Sequence, residues 1–206
     1  MSSTSLAELL DAPATRIADV AAWLDARTHD ERVAATRTLT RAQQRTLYTR
    51  ASLAPAITLE HFVPKDRADR TEVRHHGRNT LPLPAAFRVF EKRFSRPTDG
   101  SSRLFGYNEG ASRPLIGPGY FVARSTAENP VWAARGDIVI DYFQVPDGSV
   151  ADTWPPVVPN SKGLQMFVYK GTRDYMRKVS EHVSIGAAFK GERALDHYFV
   201  LVREDV

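Results

Sequence analysis

Residues 179–203 read VSEHVSIGAAFKGERALDHYFVLVR. Both ends of this stretch, 179–188 and 194–203, are rich in β-branched and aromatic residues, which favour strands. Lys190-Gly191-Glu192 lies between them, and glycine accepts the backbone angles that a tight turn requires. The stretch therefore predicts a β-hairpin at the end of the chain.

Upstream of this hairpin, the character of the sequence changes near residue 54. Before that point, three serine or threonine residues are each followed three positions later by Glu or Gln, which is the pattern of a helix-initiating capping box. A fourth segment has apolar residues on one helical face. These segments are Ser5–Glu8, Thr28–Glu31, Thr40–Gln43 and the stripe Ile17, Val20, Ala21 and Leu24. We predict a helical N-terminal region, 1–53, and a sheet-rich body, 54–206.

The body alternates apolar runs with Gly- and Pro-containing turns, so it reads as a series of short strands. We place strands or extended segments at 57–63, 87–94, 103–108, 119–124 and 137–143, a polar loop at 66–78, and a short helix through 164–168. No alternation of strands with long helices is visible. The predicted fold class is α+β, with a curved, mainly antiparallel sheet that forms a barrel or half-barrel and carries one or two helices.

The composition is that of an ordinary globular protein. The chain has 206 residues, of which 42% are hydrophobic and 25% charged, and it contains no cysteine. Disulfides and thiolate metal sites are therefore excluded. No long apolar run and no signal-like N-terminus is visible. We expect a soluble, cytoplasmic protein without a membrane span.

One stretch, 65–96, is strongly basic. It holds nine Lys or Arg residues against four acidic ones, a local net charge of +5, and the whole chain carries +4. Such a stretch could bind an acidic protein or a nucleic acid. Charge blocks of this kind more often form a solvated surface, and no phosphate-binding glycine motif accompanies this one. Nucleic acid is therefore not the partner that we expect.

One constellation has the residues needed for acid–base chemistry. Asp141 interrupts an apolar strand, where burial would alter its pKa. His182 and His197 lie on the two arms of the predicted hairpin, so either could pair with Asp141. The ordinary alternative is a pair of hydrogen-bonded histidines at the sheet margin. Metal-binding spacings such as H-x-H are lacking, and we predict no metal site.

A second constellation combines aromatic and polar residues on neighbouring predicted strands. A few polar groups among aromatic rings can orient a small ligand in a pocket. The ordinary alternative is that these tyrosines fill the edge of the core. The candidate ligand-binding residues are Tyr107, Asn108, Tyr120, Arg124 and Tyr142. The sequence thus predicts a small-molecule-binding or protein-interaction protein of unknown ligand and cofactor. An acid–base enzyme using Asp141 with His182 or His197 is the first alternative, and an acidic partner bound through 65–96 is the second.

Overall fold

The computed structural model describes residues 4–206, and its N-terminal part is helical. The helices are α1 (Leu6–Asp11), α2 (Ile17–Asp25), α3 (His29–Arg37) and α4 (Arg41–Arg50), followed by a 3-10 turn at Ala51–Leu53. Ser5, Thr28 and Thr40 each accept a hydrogen bond from the backbone of the third helical residue, whose side chain bonds back to the capping residue. These local bonds explain why α1, α3 and α4 begin where the capping pattern predicts.

The rest of the chain forms a closed antiparallel barrel of eight strands in chain order, with β1 hydrogen-bonded to β8. The strands are β1 (Val73–Asn79), β2 (Val89–Ser95), β3 (Arg103–Glu109), β4 (Phe121–Ser125), β5 (Ile138–Asp141), β6 (Thr172–Lys178), β7 (Val183–Lys190) and β8 (Arg193–Arg203). The predicted antiparallel barrel is confirmed, and its closure pairs both edge strands of the sheet with each other. The predicted hairpin corresponds to β7 and β8.

Short helices interrupt the body more often than the one or two that we predicted. They are α5 (Leu59–Phe62), α6 (Arg113–Ile116), α7 (Pro130–Ala133) and α8 (Gln165–Val168), and a 3-10 turn spans Ala85–Phe87. Each α-helix is four residues long. Helices this short lack the repeating apolar face from which a helix is read in a sequence.

Two other local predictions are wrong. The segment 57–63 contains α5 rather than a strand, and the supposed loop 66–78 contains most of β1. Strand β1 reads VRHHGRN, so its inward residues include His75 and Gly77 rather than an apolar series. Strand β6 was not predicted at all, because TRDYMRK also lacks a clean apolar–polar alternation.

Aromatic rings fill the lumen in one half of the barrel. Phe94, Phe121 and Met176 are fully buried there in a common apolar cluster. The strands make room for rings at positions that have no side chain. A Cβ atom on Gly106 would lie 2.3 Å from the ring of Phe121, and one on Gly186 would lie 2.3 Å from that of Phe199. Glycine at these two positions is therefore a packing requirement.

The N-terminal helices cover the outer face of β7 and β8. Val20, Leu24 and Leu47 form one buried cluster with Ile185 and Val200 of these strands. The helices and the barrel thus share a core. The division at residue 53 remains a prediction about folding units, and residues 1–3 of the predicted region lie outside the described residues.

Candidate ligand-binding cavity

A cavity of about 500 Å³ extends outward from the other end of the lumen. Phe90 and Phe199 form part of its wall inside the barrel. Loops and short helices surround its mouth, and they contribute the apolar residues Leu81, Leu83, Phe87, Ile116, Phe167 and Val168. Phe87 and Phe167 are 44% and 73% exposed, so apolar surface continues from the cavity to the solvent.

Four polar residues form a connected cluster inside this cavity: Lys92, Asn108, Tyr142 and Asp174, all of them buried. The Lys92 Nζ lies 2.9 Å from Asn108 Oδ1 and 3.3 Å from Asp174 Oδ2, and it also bonds the Tyr142 hydroxyl. Asn108 Nδ2 donates to the Gly119 carbonyl at 2.9 Å. Antiparallel pairing explains the assembly, because Lys92 lies opposite Asn108 on the inner face of the sheet.

Burial shifts both charged members of this cluster toward their neutral forms. Loss of hydration lowers the pKa of Lys92, and Asp174 opposes that shift. Loss of hydration also raises the pKa of Asp174, with Lys92 opposing. Desolvation likewise raises the pKa of the Tyr142 hydroxyl well above its ordinary value. The Lys92–Asp174 pair has no net charge whether the shared proton lies on nitrogen or oxygen.

Charged residues nearer the mouth are partly neutralised. Arg113 Nε lies 2.6 Å from Glu109 Oε1, so these two cavity residues form an ion pair. His197 also lines the cavity, and burial lowers its pKa. Its Nδ1 makes no hydrogen bond to any part of the chain between residues 4 and 206. The cavity therefore has both charged and apolar residues around its mouth, and the polar cluster inside it has no net charge.

The five predicted ligand-binding residues are divided between the two faces of the barrel. Asn108 and Tyr142 line the cavity. Tyr107 and Tyr120 pack outside the barrel against Trp154, with ring centroids 5.0 and 6.2 Å from it. Arg124 pairs with Asp141 at 3.3 Å. The structure thus brings two of the five residues together at the cavity.

The predicted acid–base residues are not brought together. Ile140 and Tyr142 belong to the inner apolar cluster, so alternation points Asp141 outward. Its buried carboxylate lies 3.3 Å from both Arg124 and Arg173. His182 Nδ1 lies 3.2 Å from Asp205, at the opposite end of the β7–β8 hairpin from His197. No contact joins Asp141 to either histidine within the described chain.

Sequence reasoning missed Lys92 and Asp174 as site residues. Lys92 was counted only as part of the basic stretch, yet it is two residues from both Phe90 and Phe94 and therefore shares their face of the strand. This two-residue spacing is the sequence feature from which an inward-facing Lys92 could have been predicted. Asp174 gave none, because β6 was not recognised as a strand.

The basic residues of the stretch 65–96 are divided between the lumen and the outside of the barrel. Lys92 points into the barrel, and other members pair with acids around its outside. These contacts are Arg70 with Asp152, Arg74 and Arg93 with Glu72, and Arg96 with Asp69. Asp152 lies far along the chain from this stretch, so the local sequence charge overstates the local surface charge.

No known protein family, curated protein or solved structure matches this chain. The eight-stranded barrel is a fold compatible with ligand binding. Among residues 4–206, none of the helices has both the length and the apolar character that crossing a bilayer needs.

Proposed function

We propose that this protein binds a small, largely apolar molecule that carries an uncharged oxygen at one end. The observation that carries this proposal is the solvent-connected cavity with apolar walls and the four-residue polar cluster inside it. Ligand sites in proteins combine these features, and about 500 Å³ is within their ordinary range of about 300–1,000 Å³.

The polar cluster favours an uncharged ligand head. Lys92 and Asp174 already neutralise each other, so a ligand carboxylate at this cluster would face the carboxyl group of Asp174 while the charge of Lys92 is already matched. A hydroxyl or carbonyl oxygen instead accepts from Lys92 or Tyr142. Each such bond contributes about 1 kcal/mol, and burial of each methylene contributes about 0.8 kcal/mol.

The alternatives have less support. Asp141 contacts two arginines rather than a histidine, and the basic stretch has many of its charges paired. A protein-interaction role would use the exposed side chains around the mouth, which small-molecule binding also explains as the entrance. Small-molecule binding is therefore the function that we favour.

Calorimetric titration of decanol into the full-length protein tests this proposal. Ala188 lies opposite Asp174 on the lumen wall, so Ala188→Trp should fill the space over the polar cluster. We expect saturable 1:1 binding by the natural protein and at least tenfold weaker binding by this variant. Ala133→Trp, on the exposed surface of α7, is the matched control and should bind normally. Absence of decanol binding, or equal binding by all three proteins, would contradict the proposal.

A further inference from the structure

We infer that Lys92 captures an aldehyde or ketone ligand as a reversible Schiff base. This inference rests on the proposed small-molecule function and narrows its ligand class to carbonyl compounds. Lys92 presents the only buried amine on the cavity wall in the described chain, since Lys190, the other lysine there, is exposed.

The surroundings of this amine are mostly aromatic. Its Nζ lies 4.8 Å from the ring centroid of Phe199, 5.0 Å from Tyr142, 5.1 Å from Phe121 and 5.7 Å from Phe90. Desolvation of this kind favours the uncharged form of a lysine amine, which is the nucleophilic form. Together with the polar cluster, these rings leave Lys92 only 2% exposed.

Asp174 provides the proton transfers that the reaction needs, because its Oδ2 lies 3.3 Å from the amine. In the neutral pair, the nitrogen lone pair of Lys92 attacks the carbonyl carbon and forms a C–N bond. The carbonyl π electrons move to oxygen, which takes a proton from the Asp174 carboxyl group, and the resulting carboxylate accepts a proton from nitrogen. Asp174 then protonates the hydroxyl group, the nitrogen lone pair forms the C=N bond as the C–O bond breaks, and one water leaves. The product is a protonated imine beside the Asp174 carboxylate.

Tyr142 and Asn108 hold the amine in place for this step. Both contact Nζ, and Asn108 is itself anchored to the Gly119 carbonyl. An ion pair with a purely structural role needs no access to the outside, whereas both charged members of this pair line a cavity that opens to solvent. Lys92 therefore differs from an ordinary buried lysine in two ways: a ligand can reach it through the cavity, and the Asp174 carboxyl group lies beside it.

Reductive trapping with decanal and sodium cyanoborohydride at neutral pH tests the inference on the full-length protein, with peptide mapping of the product. We expect alkylation of Lys92 at least tenfold faster than that of the exposed Lys65. Excess decanol should suppress the Lys92 product, and Asp174→Asn should slow it at least tenfold while retaining the amine. Lys162→Arg, at an exposed position that does not line the cavity, is the matched control and should react at the natural rate.

The two experiments separate failure of the Schiff-base inference from failure of the proposed binding function. If decanol binds in the calorimeter but Lys92 is alkylated no faster than the exposed lysines, the Schiff-base inference is wrong and the binding function stands. If decanol does not bind and Lys92 is not alkylated preferentially, both are wrong. Preferential alkylation that persists undiminished in Asp174→Asn would overturn the role given to the carboxyl group.

Discussion

Lys92 shows how a single residue can be misread when only local charge is considered. In the sequence it is one of nine basic residues between positions 65 and 96. In the barrel it lies between Phe90 and Phe94 on the inner face, beside an acid from a strand about eighty residues away. The two-residue spacing of Lys92 from Phe90 and Phe94 can be recognised in the sequence. Its ion-pair partner Asp174 cannot, because contacts across a closed barrel join residues that are distant in sequence.

The Lys92–Asp174 pair should behave as a coupled unit in stability measurements. Lys92→Met removes the cation and leaves an acid in the lumen, which should lower the free energy of unfolding by about 3–5 kcal/mol. The double variant Lys92→Met/Asp174→Asn removes the unpaired charge and should recover most of that loss. Chemical denaturation of the four proteins of the cycle checks this, and purely additive effects would show that the pair is not coupled.

Histidine burial should make the protein sensitive to acid. His75 is fully buried, its Nε2 bonds the Phe62 carbonyl at 3.0 Å, and burial lowers its pKa from 6.5 to about 3. The folded protein keeps this histidine neutral, whereas the unfolded chain takes up a proton below about pH 6.5. The contribution of His75 to the free energy of unfolding is therefore complete above pH 6.5 and declines between pH 6.5 and 3. At pH 5 it is smaller by about 2 kcal/mol.

The variant His75→Gln isolates this effect, because glutamine can still donate to the Phe62 carbonyl but does not titrate. Denaturation at pH 7.5 and pH 5 should give a loss of unfolding free energy about 2 kcal/mol smaller in the variant than in the natural protein. An identical loss in the two proteins would mean that His75 is not the responsible group.

At the scale of elements, predictability follows the range of the interactions. The N-terminal helices begin at capping boxes that operate over three residues, so the sequence reveals them. Strands β1 and β6 each pair with one distant strand, β8 and β5, as well as with a nearby one, and polar lumen residues break their apolar alternation. The candidate site also combines residues from strands that are distant in sequence. Asn108 and Tyr142 could be predicted from their residue types, whereas Asp174 lies on a strand that was not predicted.

The elements at the barrel mouth should control entry of an apolar ligand. Phe167 of α8 lines the cavity yet is 73% exposed, so Phe167→Ser should weaken decanol binding severalfold and change stability by less than about 0.5 kcal/mol. Leu53 is 84% exposed and does not line the cavity, which makes Leu53→Ser the matched control. Equal decanol affinity of the two variants would exclude α8 from the entrance.

At the scale of the whole molecule, closure of the sheet separates two environments. The outer face of β7 and β8 is covered by the N-terminal helices, while the lumen is packed with rings at one end and open at the other. The sequence predicted a curved antiparallel sheet from strand and turn signals. It could not predict which half of the lumen stays open, because that depends on the large side chains contributed by several strands together.

Native mass spectrometry of the freshly purified full-length protein, compared with its denatured mass, tests ligand binding by this cavity most directly. We predict an organic adduct of up to a few hundred daltons on the folded chain, or stoichiometric uptake of decanol if the protein is isolated empty. Ala188→Trp should show neither. A folded protein that carries no adduct and takes up no decanol would contradict the proposed binding function.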